Sequence, residues 1–155
     1  VAIDKDIENK KEKHYRFSDE VYEQKFRECK FPPLYFSHEA HLRLAYIHLN
    51  KYGLEQSIEN MCTQIYDFAI KYGATMKFNA TVTYASLQIM SQYMNKGVSQ
   101  NFPDLMLEFP HLLQNFKAEI QKHYSWDVFR SPEAKAKIHQ PDLKAFGSSN
   151  TNIHL

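Results

Sequence analysis

The sequence predicts an all-α protein, an up-down bundle of four main helices carrying a smaller helical C-terminal cap. Three observations lead there. Apolar residues recur three and four apart over long stretches, the spacing that lines one face of a helix. Ser18, Ser37 and Asn79 stand immediately before such stretches, where a short polar side chain caps a helix. The 155 residues hold only 4 Gly and 6 Pro, too few for the frequent tight turns of an all-β chain.

Residues 1–17 are charged and lack apolar periodicity, so they read as a flexible N-terminal arm. Ser18 opens the first helix, with Asp19 and Glu20 favourably placed at its positive end and Val21, Tyr22, Phe26 and Cys29 on one stripe. Pro32-Pro33 stops it. Ser37 opens a second helix over His38 to Tyr52, which Gly53 closes. The third runs from Leu54 to Tyr72 on a regular stripe that includes Ile58, Met61, Ile65 and Phe68, and Ile65 and Phe68 are expected to be among its most buried residues. The fourth starts at Asn79 or Ala80 and ends at Lys96-Gly97, with Val82, Ala85, Ile89, Met90 and Tyr93 inward. Thr81-Val82-Thr83 has strand propensity, but the longer helical period outweighs three β-branched residues. Beyond Gly97 the expected helices are shorter: Asp104 to Phe109, His111 to Tyr124, and Pro132 to His139 behind a Ser131 cap. Residues 141–155 are polar and read as a surface or disordered tail. Residues 18–140 thus form one helical domain.

Composition narrows the function classes. Nineteen Lys and Arg balance eighteen Asp and Glu, a formal charge of +1, which speaks against an electrostatically driven nucleic-acid binder. No apolar run is long enough for a membrane span, and the charged first residues lack a signal-peptide pattern. Two cysteines, Cys29 and Cys62, are no disulfide framework, which suits reduced thiols in a cytoplasmic protein. No Gly-rich phosphate loop, nucleophile elbow or CxxC pair is present.

The residues that could carry chemistry fall into two clusters. His38 and His41, three apart at the start of the second helix, lie side by side on one face. Their spacing differs from the four-residue separation of zinc-protease histidines, yet an i, i+3 pair can hold one metal. His48 stands about 10 Å further along the axis, too far to share an ion with them. A divalent metal would need ligands from elsewhere, with His123, His111 or Glu108 as donors. The alternative is that both histidines are hydrogen-bonded structural residues. The second cluster is Asn79, Thr81 and Thr83. Asn79 can simply cap its helix, while Thr83 lies on the side of Leu87, Met90 and Met94 and needs a partner for its hydroxyl. Arg43, one turn into the second helix, is a further anion-binding candidate, though such residues are usually solvated or ion-paired.

Topology joins the clusters. Short connections make the second and fourth helices parallel, so their N-termini share one end of the bundle and bring His38 and His41 to Asn79, Thr81 and Thr83. Two positive helix ends form a candidate site for a small polar or anionic ligand, and they lower the histidine pKa values.

The run Phe36-Ser37-His38-x-x-His41-Leu42, then Lys77-Phe78-Asn79-x-Thr81-x-Thr83, then His123-Tyr124-Ser125 and Ser131 to Ala134, resembles a family of small uncharacterised bacterial helical proteins. The similarity spans about Phe17 to Leu143. It implies the same helical fold and singles out the same residues, without implying a reaction. The chain departs from the pattern at Asn79, where the family usually has His, which removes a potential ligand or base.

Three functions are consistent with these features. One is a pocket protein, with or without catalytic activity, holding a small polar or anionic ligand on His38, His41, Asn79, Thr81, Thr83 and Arg43. Another is a metalloprotein using His38, His41 and His123. The third is an interaction module whose aromatic surface serves a partner or a homodimer.

Overall fold

A computed structural model describes residues 11–147. Eight α-helices and three 3-10 turns follow one another without a strand among the described residues. The four main helices are α1 (Asp19–Arg27), α2 (His38–Tyr52), α3 (Leu54–Lys71) and α4 (Ala80–Lys96). The cap comprises α5 (Phe102–Glu108), α6 (His111–Gln114), α7 (Phe116–Gln121) and α8 (Pro132–Ala136).

The caps form as their residue types dictate. Ser18 Oγ accepts from the Val21 N–H, Ser37 Oγ from Ala40, and Asn79 Oδ1 from Val82, at 3.2, 3.2 and 2.9 Å. Each satisfies an N–H that the first helical turn leaves without a carbonyl, an effect of about 1 kcal/mol. Gly53 alone joins α2 to α3. Its φ of +79° lies in the left-handed region, which a side chain would resist and glycine adopts freely.

That tight joint makes α2 and α3 antiparallel neighbours, and α4 packs against both. The C-terminal turns of α2 and α4 meet the start of α3 around a small polar hollow bounded by Asn50, Gly53, Leu54, Ser91 and Asn95. The N-terminal turns of α2 and α4 therefore share the opposite end. Helix α1 lies against α2 and α3 through an aromatic core: Tyr22 stacks on Phe31 at 4.4 Å between centroids, and Phe26 on Phe68 at 4.6 Å. Leu44, Leu87, Ile89 and Met90 fill the bundle centre, and Leu105, Leu112 and Ile120 extend that core into the cap. Helices α7 and α8 both pack on α4.

Several expectations need correction. The single helix expected over His111 to Tyr124 breaks at Asn115, whose φ of −153° and ψ of 51° are not helical, and α6 and α7 diverge there. In α3, Phe68 is buried as expected, but Ile65 is only half-buried and forms part of a cavity wall. The flexible arm expected over 1–17 and the tail over 141–155 lie partly outside the described residues. Within them, Lys13–Arg16 is a 3-10 turn with His14 fully buried, so this stretch is a docked part of the domain. Its low apolar content predicts a solvated stretch, but polar contacts to His14 and the packing of Tyr15 and Phe17 on the core hold it. Phe146, near the other end, lies over the His123 ring at 4.1 Å. No helix of the described residues is long and apolar enough to cross a membrane.

Candidate functional site

A cavity of about 530 Å³ lies where the first turns of α2 and α4 meet α3 and α7. Its volume is typical of a small-molecule pocket. Met61, Ile65, Val82, Phe116, Ile120 and Phe129 make most of the wall, so its interior is largely apolar. His38, His41, Asn79, Thr83 and Ser86 supply the polar atoms, while Lys77 and Lys117 complete the lining. His38 and both lysines are exposed and mark the mouth, whereas His41, Thr83 and Ser86 are more enclosed.

The hydrogen bonds fix which atoms these groups offer. His41 Nδ1 is 2.8 Å from the Ser37 carbonyl, so Nδ1 carries the proton and donates. Phe36 stacks on the same ring at 3.5 Å and holds its plane. His41 Nε2, left with a lone pair, has no hydrogen-bond partner among the described residues and is not sealed from solvent, so it opens onto the cavity its ring lines. His38 Nε2 is 2.9 Å from the Leu112 carbonyl and is spent tying α2 to α6. Thr83 Oγ1 donates to the Asn79 carbonyl at 2.8 Å, and Ser86 Oγ to the Val82 carbonyl at 2.7 Å. Each hydroxyl has thereby used its one proton and retains acceptor capacity. Asn79 is occupied at both ends: Oδ1 caps α4, and Nδ2 donates to the Val128 carbonyl at 2.7 Å.

Burial pushes the His41 pKa down to about 4, and the charge of nearby His38 adds to the fall, while the bond to Ser37 opposes it. The imidazole is therefore neutral at neutral pH. The lowering at His41 comes from burial, not from the helix ends to which the sequence reading assigns it.

The structure gathers His38, His41, Asn79 and Thr83, and separates the other candidates. Thr81 is fully buried on the far side of its turn; its Oγ1 donates to the Lys137 carbonyl at 2.7 Å and accepts from the His139 N–H at 3.0 Å, fastening the segment after α8. Arg43 is likewise no ligand-binding residue. It is 5 % exposed and donates to the carbonyls of His14 and Phe17 and to Asp19, at 2.6, 2.7 and 2.9 Å. It is the peg on which the N-terminal turn hangs, and one-dimensional spacing gave no sign of that partner. Ser86, one turn beyond Thr83 on the same helix face, was detectable from spacing. Lys117 and Phe116 come from α7 and only the tertiary fold brings them in.

The metal set expected from His38, His41 and His123 does not assemble. His123 Nδ1 is bound to the Lys144 carbonyl at 2.6 Å, a structural role in the cap. Among the described residues, the His, Cys, Asp and Glu atoms that converge in a group of three are those of Glu12, His14 and Glu39. Their hydrogen bonds argue for a clasp. His14 Nε2 is 2.9 Å from Glu39 and 3.3 Å from Glu12, and its Nδ1 is 3.3 Å from Arg43 Nη1. Arg43 can only donate, so Nδ1 accepts and Nε2 donates to Glu39. Binding a cation through Nε2 would place the proton on Nδ1, facing a donor, whereas metal-bound histidines usually give that proton to an acceptor.

A larger hollow of about 1040 Å³ opens between α3 and α8, beside Tyr66, Met76, Arg130 and Lys137. It is a broad surface groove, and its one thiol, Cys62, is raised to about 11 by burial and is unreactive as a nucleophile at neutral pH. Compared with family models, curated proteins and solved structures, the chain matches none of them.

Proposed function

We propose that the protein binds a small molecule with an apolar body and a polar group in the cavity between the first turns of α2 and α4. The observation that carries this reading is His41 Nε2, a neutral lone pair without a partner among the described residues, opening onto a half-enclosed and mostly apolar space. A polar atom in such surroundings loses the free energy of a hydrogen bond unless something fills the role. Apolar walls supply binding energy in proportion to the ligand area they cover, and the few polar atoms select orientation. Binding is favoured over catalysis because a general base works best near the operating pH, and the His41 pKa lies far below neutrality.

The test is titration with para-ethylphenol at millimolar concentration, observed through the methyl resonances of Met61, Ile65 and Ile120. Saturable shifts at these methyls support the reading. No shifts, or shifts confined to Met76 and Ile138 in the broad groove, would overturn it.

A further inference from the structure

We infer that the preferred ligand is an amphipathic organic acid that places a hydrogen-bond donor, a hydroxyl or N–H, inside the cavity and its carboxylate at the mouth. The inference rests on the binding reading above and adds the sense of each polar contact. Inside, His41 Nε2 bears a lone pair, and the hydroxyl protons of Thr83 and Ser86 are committed to backbone carbonyls. The interior polar atoms therefore accept and do not donate. An acceptor group brought there faces lone pairs on every side, while a hydroxyl or N–H finds a partner. A carboxylate in the interior also meets no cation, since His41 is neutral.

The mouth has the opposite character. Lys77 and Lys117 are exposed there, and Lys117 Nζ stands over the Phe129 ring at 5.0 Å. The described residues place no carboxylate within 4.0 Å of either ammonium. Ser37 and Asn79 each cap one N–H at the two helix starts, and the two lysines add full positive charge at the mouth. The ligand must present its charge to them and its donor inward, with an apolar segment against Met61, Ile65 and Phe116 between.

Four probes separate the parts of this statement: para-hydroxyphenylpropionate, para-methoxyphenylpropionate, phenylpropionate and para-ethylphenol. Each is titrated into the full chain, with affinity read from the methyl shifts of Met61, Ile65 and Ile120. The hydroxy acid should bind at least about tenfold more tightly than the methoxy acid, which can accept but not donate, and than the unsubstituted acid; one well-made hydrogen bond supplies that ratio. It should exceed para-ethylphenol by about three- to tenfold at low salt, and a Lys77→Ala/Lys117→Ala double variant should erase that second advantage alone. Thr83→Val, close in shape, should reduce the preference for hydroxyl over methoxy. Equal affinity for the three acids would overturn the donor assignment while leaving cavity binding intact. Equal affinity for the hydroxy acid and the phenol would overturn the placement of charge at the mouth. Failure of all four probes would overturn the binding reading itself.

Discussion

Replacing Arg43 by alanine should destabilise the fold by about 3–5 kcal/mol. The guanidinium gives hydrogen bonds to the His14 and Phe17 carbonyls, the first of them fully enclosed, and truncation leaves both acceptors without that donor. The loss at the His14 carbonyl costs about 1 kcal/mol, because the Phe17 N–H still donates to it at 3.2 Å, and the loss at the part-buried Phe17 carbonyl about 1–2 kcal/mol. Its guanidinium carbon also stands 5.3 Å and 5.1 Å from the Tyr15 and Tyr22 ring centres, adding about 0.5–1 kcal/mol for each. The ion pair with Asp19 contributes little, since that carboxylate is mostly in water. Urea unfolding followed by circular dichroism reads the total: with a slope of about 2 kcal/mol per molar, the midpoint should fall by roughly 2 M. Arg43→Met keeps the apolar stem and loses the donors, so it should recover only a minor part. Cleavage by a protease between Lys13 and Phe17 should also become faster. An alanine variant within about 1 kcal/mol of the parent, with unchanged proteolysis, would refute the peg role of Arg43.

Three further outcomes are expected. Thr81→Val, which removes two hydrogen bonds with little change of shape, should cost about 1–3 kcal/mol and speed amide exchange at His139, whereas unchanged exchange there would contradict the fastening role. Ile65→Ala should cost less than about 2 kcal/mol because the side chain already borders a void, while Met61→Ala, buried in the same helix, should cost more; the reverse order in urea melts would displace the cavity wall. Stability should fall as pH drops from about 6.5 to about 4. The folded-state pKa of His41 lies below its ordinary 6.5, so the unfolded chain binds more protons in that window and acid favours unfolding. The loss is at most about 3 kcal/mol, reduced by any solvent in the cavity, and His41→Gln should flatten this part of the profile.

The fold was legible because its signals are local. Ser18, Ser37 and Asn79 each cap the helix they precede, and Gly53 closes α2 at the expected residue. Short joints then place the starts of α2 and α4 together, which brings His38 and His41 to Thr83. What sequence could not show was direction around the helix and competition from distant partners. Thr81 and Thr83, two apart, point to different sides, so one fastens the C-terminal segment and the other faces the cavity. Arg43 looked available because its acceptors, His14 and Phe17, lie in a stretch with no helical period of its own. The break at Asn115 likewise depends on packing that apolar spacing alone does not reveal.

Ligand selection at this cavity depends most on the state of one imidazole. Nitrogen-detected NMR of histidine-labelled protein reads the tautomer and the titration of His41 together. The ring should be neutral with its proton on Nδ1, titrate near 4, and show a shift of the Nε2 resonance when para-hydroxyphenylpropionate is added. A proton on Nε2, or a titration near 6.5 with no response to that acid, would contradict this assignment.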